Sequence, residues 1–257
     1  MKVIDTQIQR YLDGENNVSD YWVFDEIIPG EHHFSAPILE QLQLRELRDS
    51  IITLLHNFTP LNIQYFDTIF KDWREATKDT SIELVVGCPS VYDMMVRNGV
   101  IIIDLQNIDA YLQQGITLSE LMQQLLTHEL AHVCIRKDYI LKEGASFEEK
   151  VDYLVFDEGF AHFLADNSDI DPLEYSHYYR ESTHQLCEVL KEKAEARQNE
   201  LLIAMNTNRN YWDKFGAISG KLFLKFSAKS DHTLQGIYAK GYRGFARRIL
   251  AYRGYEQ

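Results

Sequence analysis

Thr127-His128-Glu129-Leu130-Ala131-His132-Val133 sets two imidazoles and a carboxylate into a run otherwise rich in leucine. Leu121, Leu125, Leu126, Leu130 and Val133 recur at helical spacing, and Thr117-Leu118-Ser119-Glu120 is a capping box that starts the helix. Residues four apart leave a helix on the same face, one turn apart, so His128 and His132 project together. Two imidazoles packed among leucines without partners are costly. A shared cation removes that cost, since each nitrogen can reach one Zn²⁺ at about 2.0–2.1 Å. Glu129, one residue on, is rotated off the metal axis yet can take a proton from water on the same ion.

A tetrahedral catalytic zinc needs a third protein ligand and an open position. About one helix downstream lies Val155-Phe156-Asp157-Glu158-Gly159-Phe160-Ala161-His162-Phe163-Leu164, in a helix opened by a second capping box, Ser146-Phe147-Glu148-Glu149. The small residues Gly159 and Ala161 are expected to let this helix approach the histidine-bearing one. The carboxylate of Glu158 then reaches the ion. The expected metal ligands are therefore His128, His132 and Glu158, with Zn²⁺ as the cofactor and Glu129 as the catalytic base. Asp157 and His162 compete with Glu158. His162, one turn further on, is either a ligand itself or a partner that orients one.

His-Glu-Leu-Ala-His followed by Asp-Glu-Gly-Phe-Ala resembles the gluzincins, zinc metallopeptidases that use two histidines and a downstream glutamate as ligands. The resemblance spans roughly residues 98 to 230. It implies a zincin-like catalytic domain with the zinc in a cleft below an edge strand, a place that Val100 to Leu105 would fill. It also implies metalloendopeptidase activity on a peptide or protein substrate, with Glu129 activating a zinc-bound water. Gluzincins usually supply a tyrosine or histidine to the tetrahedral intermediate. Tyr211 is the first candidate here, and His232 and Tyr242 are the alternatives. Some gluzincins carry an aspartate four residues after the glutamate ligand, supporting a metal histidine; that position is His162 in this chain. No aminopeptidase-type substrate motif is present. An ImmA/IrrE-like regulatory protease is a related reading. A non-catalytic, zinc-stabilised peptide-binding module is a reading from another class, and the intact Glu129 argues against it.

The rest of the chain narrows the partners. Lys and Arg number 26 against 39 Asp and Glu, a net charge of −13. That balance disfavours binding to nucleic acid or to an anionic membrane, both of which need a basic surface. Cys88, Cys134 and Cys187 form no CxxC pair and read as reduced thiols. No signal peptide and no membrane-length apolar run is visible, so the expected location is cytoplasmic, with export by an uncleaved route as the alternative.

The expected fold is α+β, mostly α, with a small β-sheet and a helical C-terminal part. Residues 1–97 would form an N-terminal helical region with the first sheet strand, and 98–257 the metallopeptidase core and C-terminal helices. Ser35-Ala36-Pro37 opens a helix through Leu55, with Ile38, Leu42, Leu44, Leu47 and Ile51 on its stripe, and Thr59-Pro60 opens another to about Ala76. Ile82 to Val86 and Val100 to Leu105 read as strands flanking a segment that holds an Asn98-Gly99 turn. A long charged helix is expected from Asp171-Pro172 towards Arg197, then helices over Tyr211–Phe226 and Leu234–Tyr252. His32-His33 reads as an exposed loop pair, and Arg243, Arg247, Arg248 and Arg253 as a solvated helix face.

Overall fold

The two β-branched runs pair in parallel, from Ser81 opposite Val100 to Val85 opposite Asp104. The computed structural model describes every residue except 16, 26, 28, 29, 91, 169–171, 206–209, 229 and 254–257. In chain order the elements are β1 (Lys2–Ile4), α1 (Thr6–Leu12), α2 (Gln41–His56), α3 (Ile63–Ile69), α4 (Trp73–Thr77), β2 (Ser81–Val85), β3 (Met94–Arg97) and β4 (Val100–Asp104). Then come α5 (Leu105–Leu112), α6 (Leu118–Asp138), α7 (Phe147–Leu164), α8 (Pro172–Val189), α9 (Glu195–Ala204), α10 (Phe215–Ser227), α11 (Asp231–Ala239) and α12 (Phe245–Arg253). The fold is α+β and mostly α. It forms two compact units, Met1–Thr59 with Arg74–Glu129, and Pro60–Trp73 with Leu130–Gln257; α4 and α6 run through the boundaries.

In the first unit the sheet order is β1-β2-β4-β3, with β3 antiparallel to β4. Asn98 and Gly99 join these two strands with φ of 51° and 75°, the left-handed pair that a two-residue hairpin turn requires. That tight turn pairs Met94–Arg97 alongside Val100–Asp104, so β4 is an interior strand. The expected edge position of Val100 to Leu105 is corrected: the edges are β1 and β3. Burial fits the interior place, since Ile101, Ile102 and Ile103 are wholly buried. One sheet face packs Val85, Cys88 and Ile102 with Val23, Phe24 and Ile27.

Asp104 ends β4 and starts α5. One carboxylate oxygen accepts from the Asn107 amide at 2.9 Å, and the other accepts from the Gly87 and Cys88 amides at 2.8 and 2.7 Å. Burial outweighs those three donors and pushes its carboxyl up to about 6. The helix expected from Ser35 begins only at Gln41. The Ile38 amide donates to the Gln106 side chain at 2.7 Å, which holds the preceding segment out of the helix. Ile38 and Leu42 are exposed, and the buried stripe is Leu44, Leu47, Ile51 and Leu55.

The second unit is built on α7. Phe156 and Phe160 on this helix pack against Tyr238 and Phe245 with ring centroids 5.2–6.2 Å apart. Asp152, also on α7 and buried, accepts from the Gly244 and Ala246 amides at 2.6 and 2.9 Å and so caps α12 from outside its own sequence. Arg243 and Arg247 lie 3.4 and 2.7 Å from Glu149 and Glu148, so this basic face is paired with the first turn of α7. α7 crosses α10 at Gly159 and Gly220. A Cβ on Gly159 would lie 2.7 Å from the Gly220 Cα, and one on Gly220 would collide with the Val155 carbonyl. Gly159 thus makes room for α10, not for the histidine-bearing helix as expected.

Three expected helices are each divided. The one from Thr59 breaks at Phe70, which leaves helical geometry and sets its ring edge-on to Phe66 and Tyr238. The charged one ends at Val189, where the Glu192 side chain accepts from the Lys193 and Ala194 amides and turns the chain before α9; its expected start at Asp171 lies outside the described residues. The last is split between α11 and α12, around Gly241 and Gly244 at φ of 69° and 71°. Cys88, Cys134 and Cys187 are all free thiols. Among the described residues no helix is long and apolar enough to cross a membrane.

Gly220→Ala should destabilise the protein by about 1–3 kcal/mol despite alanine's better helix propensity, because the obstructing atoms are backbone. A thermal melt lowered by several degrees, with secondary structure retained below the transition, is the expected result. Asp104 gives a second expectation. Its proton is held more tightly in the folded state than in the unfolded chain, so its contribution is full below about pH 4 and lost as pH rises through about 6. That shift is worth about 3 kcal/mol. Urea unfolding of the wild type and Asp104→Asn across pH 4–7 should show the wild-type curve falling relative to the variant's.

Candidate metal centre

The capping box that opens α6 is formed: the Glu120 amide donates to Thr117 Oγ1 at 3.3 Å and the Thr117 amide to the Glu120 carboxylate at 3.4 Å. The helix then runs unbroken to Asp138, with Leu126, Leu130, Ala131, Cys134 and Ile135 buried. It carries His128, Glu129 and His132. The second capping box is formed as well, and α7, which it opens, carries Asp157, Glu158 and His162.

His128, His132 and Glu158 come together as expected. One ligand atom from each lies within 4.8 Å of the others, and the three can hold one metal ion. His132 Nε2 is 3.8 Å from Glu158 Oε1. The edge of a zinc tetrahedron with arms of about 2.0–2.2 Å is about 3.3–3.5 Å, so small side-chain rotations close the set. Two imidazole nitrogens and a carboxylate oxygen make three of the four positions of a tetrahedral ion, and among the described residues the cluster holds no fourth ligand. The donor chemistry therefore fits the group that the motif implies.

Asp157 lies outside this group of three and faces His132. Its Oδ1 lies 2.8 Å from His132 Nδ1, with both side chains buried. A carboxylate there holds the ring so that Nε2 is the nitrogen left for a metal, and it raises the basicity of that nitrogen. The gluzincin resemblance puts this support four residues after the glutamate ligand, where this chain has His162 and no acid. The residue next to the ligand supplies it instead. The available signal was an acid inside the apolar stretch Val155-Phe156-Asp157, which buries only with a partner.

Electrostatics across the cluster follow burial. Desolvation raises the Glu158 carboxyl above the ordinary glutamate range, against the pull of His132. Desolvation, reinforced by Lys214 and Lys221, lowers His162 well below an ordinary histidine. Glu129, at 8% exposure, is buried on α6.

Tyr211 sits in a short 3₁₀ turn, Tyr211–Asp213, ahead of α10. Its ring meets the His162 ring edge-on at 5.3 Å, and its hydroxyl accepts from Lys221 Nζ at 3.0 Å. It therefore belongs to the surroundings of Glu158 and His162. Tyr242 packs against Tyr153 and Tyr139, and His232 is exposed in the first turn of α11. A cavity of about 680 Å³ lined by His184, Glu188, Arg197 and Phe215 includes no residue of this cluster. Comparison with protein-family models, curated proteins and solved structures finds no match. The centre stands on its own geometry.

Asp157→Asn should weaken metal binding by about 10–100-fold while leaving one site per chain. Competition against a chromophoric chelator measures it, and an unchanged affinity would show that Asp157 does not support His132.

Proposed function

We propose that this chain is a zinc-dependent endopeptidase that hydrolyses a peptide or protein in the cytoplasm. The observation that carries the reading is the convergence of His128, His132 and Glu158, with Asp157 fixing the second nitrogen of His132. The gluzincin-like motif pair supports it, and the three free thiols agree with a reducing compartment.

When bound, a zinc ion supplies a Lewis acid for the scissile carbonyl and brings the pKa of a water down towards about 7. Glu129 is the general base: it takes the proton as the water oxygen attacks the carbonyl carbon. The same carboxylic acid then gives that proton to the leaving amine nitrogen as the C–N bond breaks. Asp157 holds His132 through Nδ1 so that the ring keeps its orientation through the cycle. Tyr211, anchored at its oxygen by Lys221, is the candidate hydrogen-bond donor to the carbonyl oxygen.

Metal analysis and peptide hydrolysis test this together. The wild type should hold one zinc per chain and cleave an unstructured protein such as casein. Glu158→Ala should lose the zinc. Glu129→Gln should keep the zinc and lose at least about 10²-fold in kcat. A wild type that holds zinc and binds peptide without cleaving it would favour a non-catalytic binding module; retention of zinc by Glu158→Ala would remove the third ligand.

A further inference from the structure

Glu158 has two oxygens, and they face different partners. Oε1 lies 3.8 Å from His132 Nε2, on the metal side. Oε2 lies 3.6 Å from Nε2 of His162, one turn along the same helix. Glutamate and histidine four apart on α7 share a face, so the helix itself holds them in register. The imidazole is braced from outside the helix too. Its ring meets Tyr211 edge-on at 5.3 Å, the Tyr211 hydroxyl accepts from Lys221 at 3.0 Å, and Lys221 lies 3.1 Å from Asp166. Lys221 is 2% exposed, so this brace is part of the packed interior.

A glutamate ligand with an unrestrained second oxygen can swing to bind the ion through both. That would take up a coordination position and crowd the place where a reacting water must sit. A donor on the second oxygen opposes the swing. At 3.6 Å the His162–Glu158 contact is longer than a hydrogen bond, and a modest rotation of either side chain closes it.

We propose that His162 is a positioning residue for the metal ligand: its Nε2–H donates to Glu158 Oε2, confines Glu158 to coordination through Oε1 and keeps a position on the ion open. This rests on His128, His132 and Glu158 forming the metal centre; it does not depend on which bond the centre cleaves.

Cobalt(II) is the probe, because its visible absorption is strong when four-coordinate and weaker when five-coordinate. Wild type, His162→Phe and His162→Gln would each be loaded with cobalt, and zinc affinity measured by chelator competition. The wild type should give the intense four-coordinate spectrum. His162→Phe should lose several-fold in absorption and about 10–100-fold in zinc affinity. His162→Gln, whose amide can still donate to Oε2, should recover most of both. Should the phenylalanine ring disturb the packing against Tyr211 and prevent folding, His162→Asn, too short to reach Oε2, replaces it. A deletion variant with the wild-type spectrum and affinity overturns the proposal and leaves the metal centre standing, as does a glutamine variant no better than phenylalanine. A wild type that takes up neither metal overturns both.

Discussion

The 2.8 Å contact between Asp157 and His132 is the interaction on which the rest of the centre depends. An imidazole has two nitrogens, and a buried one needs both accounted for. With Nδ1 committed to a carboxylate on α7, Nε2 is left for a metal, and the ring can no longer flip. The same contact ties α6 to α7, so metal geometry and helix packing are one problem. Glu158 is the next residue along α7, and fixing Asp157 against His132 also fixes where Glu158 begins.

α7 is held just as firmly on its other sides. Gly159 and Gly220 let α10 lie backbone to backbone against it, and the aromatic layer of Phe156, Phe160, Tyr238 and Phe245 fills the remaining space. A helix so confined cannot shift without disturbing several contacts at once, which is what a ligand set with tolerances of tenths of an ångström requires. Lys221 extends that rigidity outward: an ammonium buried on α10 is stable only with partners, and Asp166 and Tyr211 provide them.

Much of this was legible in the sequence, and the exceptions have physical causes. Both capping boxes are local signals, since four consecutive residues satisfy one another, and both form as read. The pairing of His128 with His132 follows from helical periodicity; Glu158 was reached through its small neighbours and the gluzincin resemblance, and the first of those reasons was mistaken, since Gly159 makes room for α10. The helix breaks at Phe70 and Glu192 were not legible, because each is decided by a packed ring or a side-chain–backbone bond that no periodicity encodes. β1 escaped because three residues, Lys2-Val3-Ile4, make too short a pattern, and its partner lies nearly eighty positions away. β4 was read as a strand correctly but placed at the wrong position in its sheet, since sequence gives strand character and not neighbour order. Asp157 was noticed as a rival ligand; which of two adjacent acids faces the ion and which faces the histidine depends on helix rotation, which single-sequence reading does not fix.

The cap that Asp152 provides to α12 spans 92 and 94 residues of chain. During synthesis, α7 leaves the ribosome long before the amides of Gly244 and Ala246 exist. Until they do, this carboxylate must stay hydrated, and the interior around it cannot fully close. The nascent polypeptide therefore exposes the aromatic layer of α7 until α12 is made.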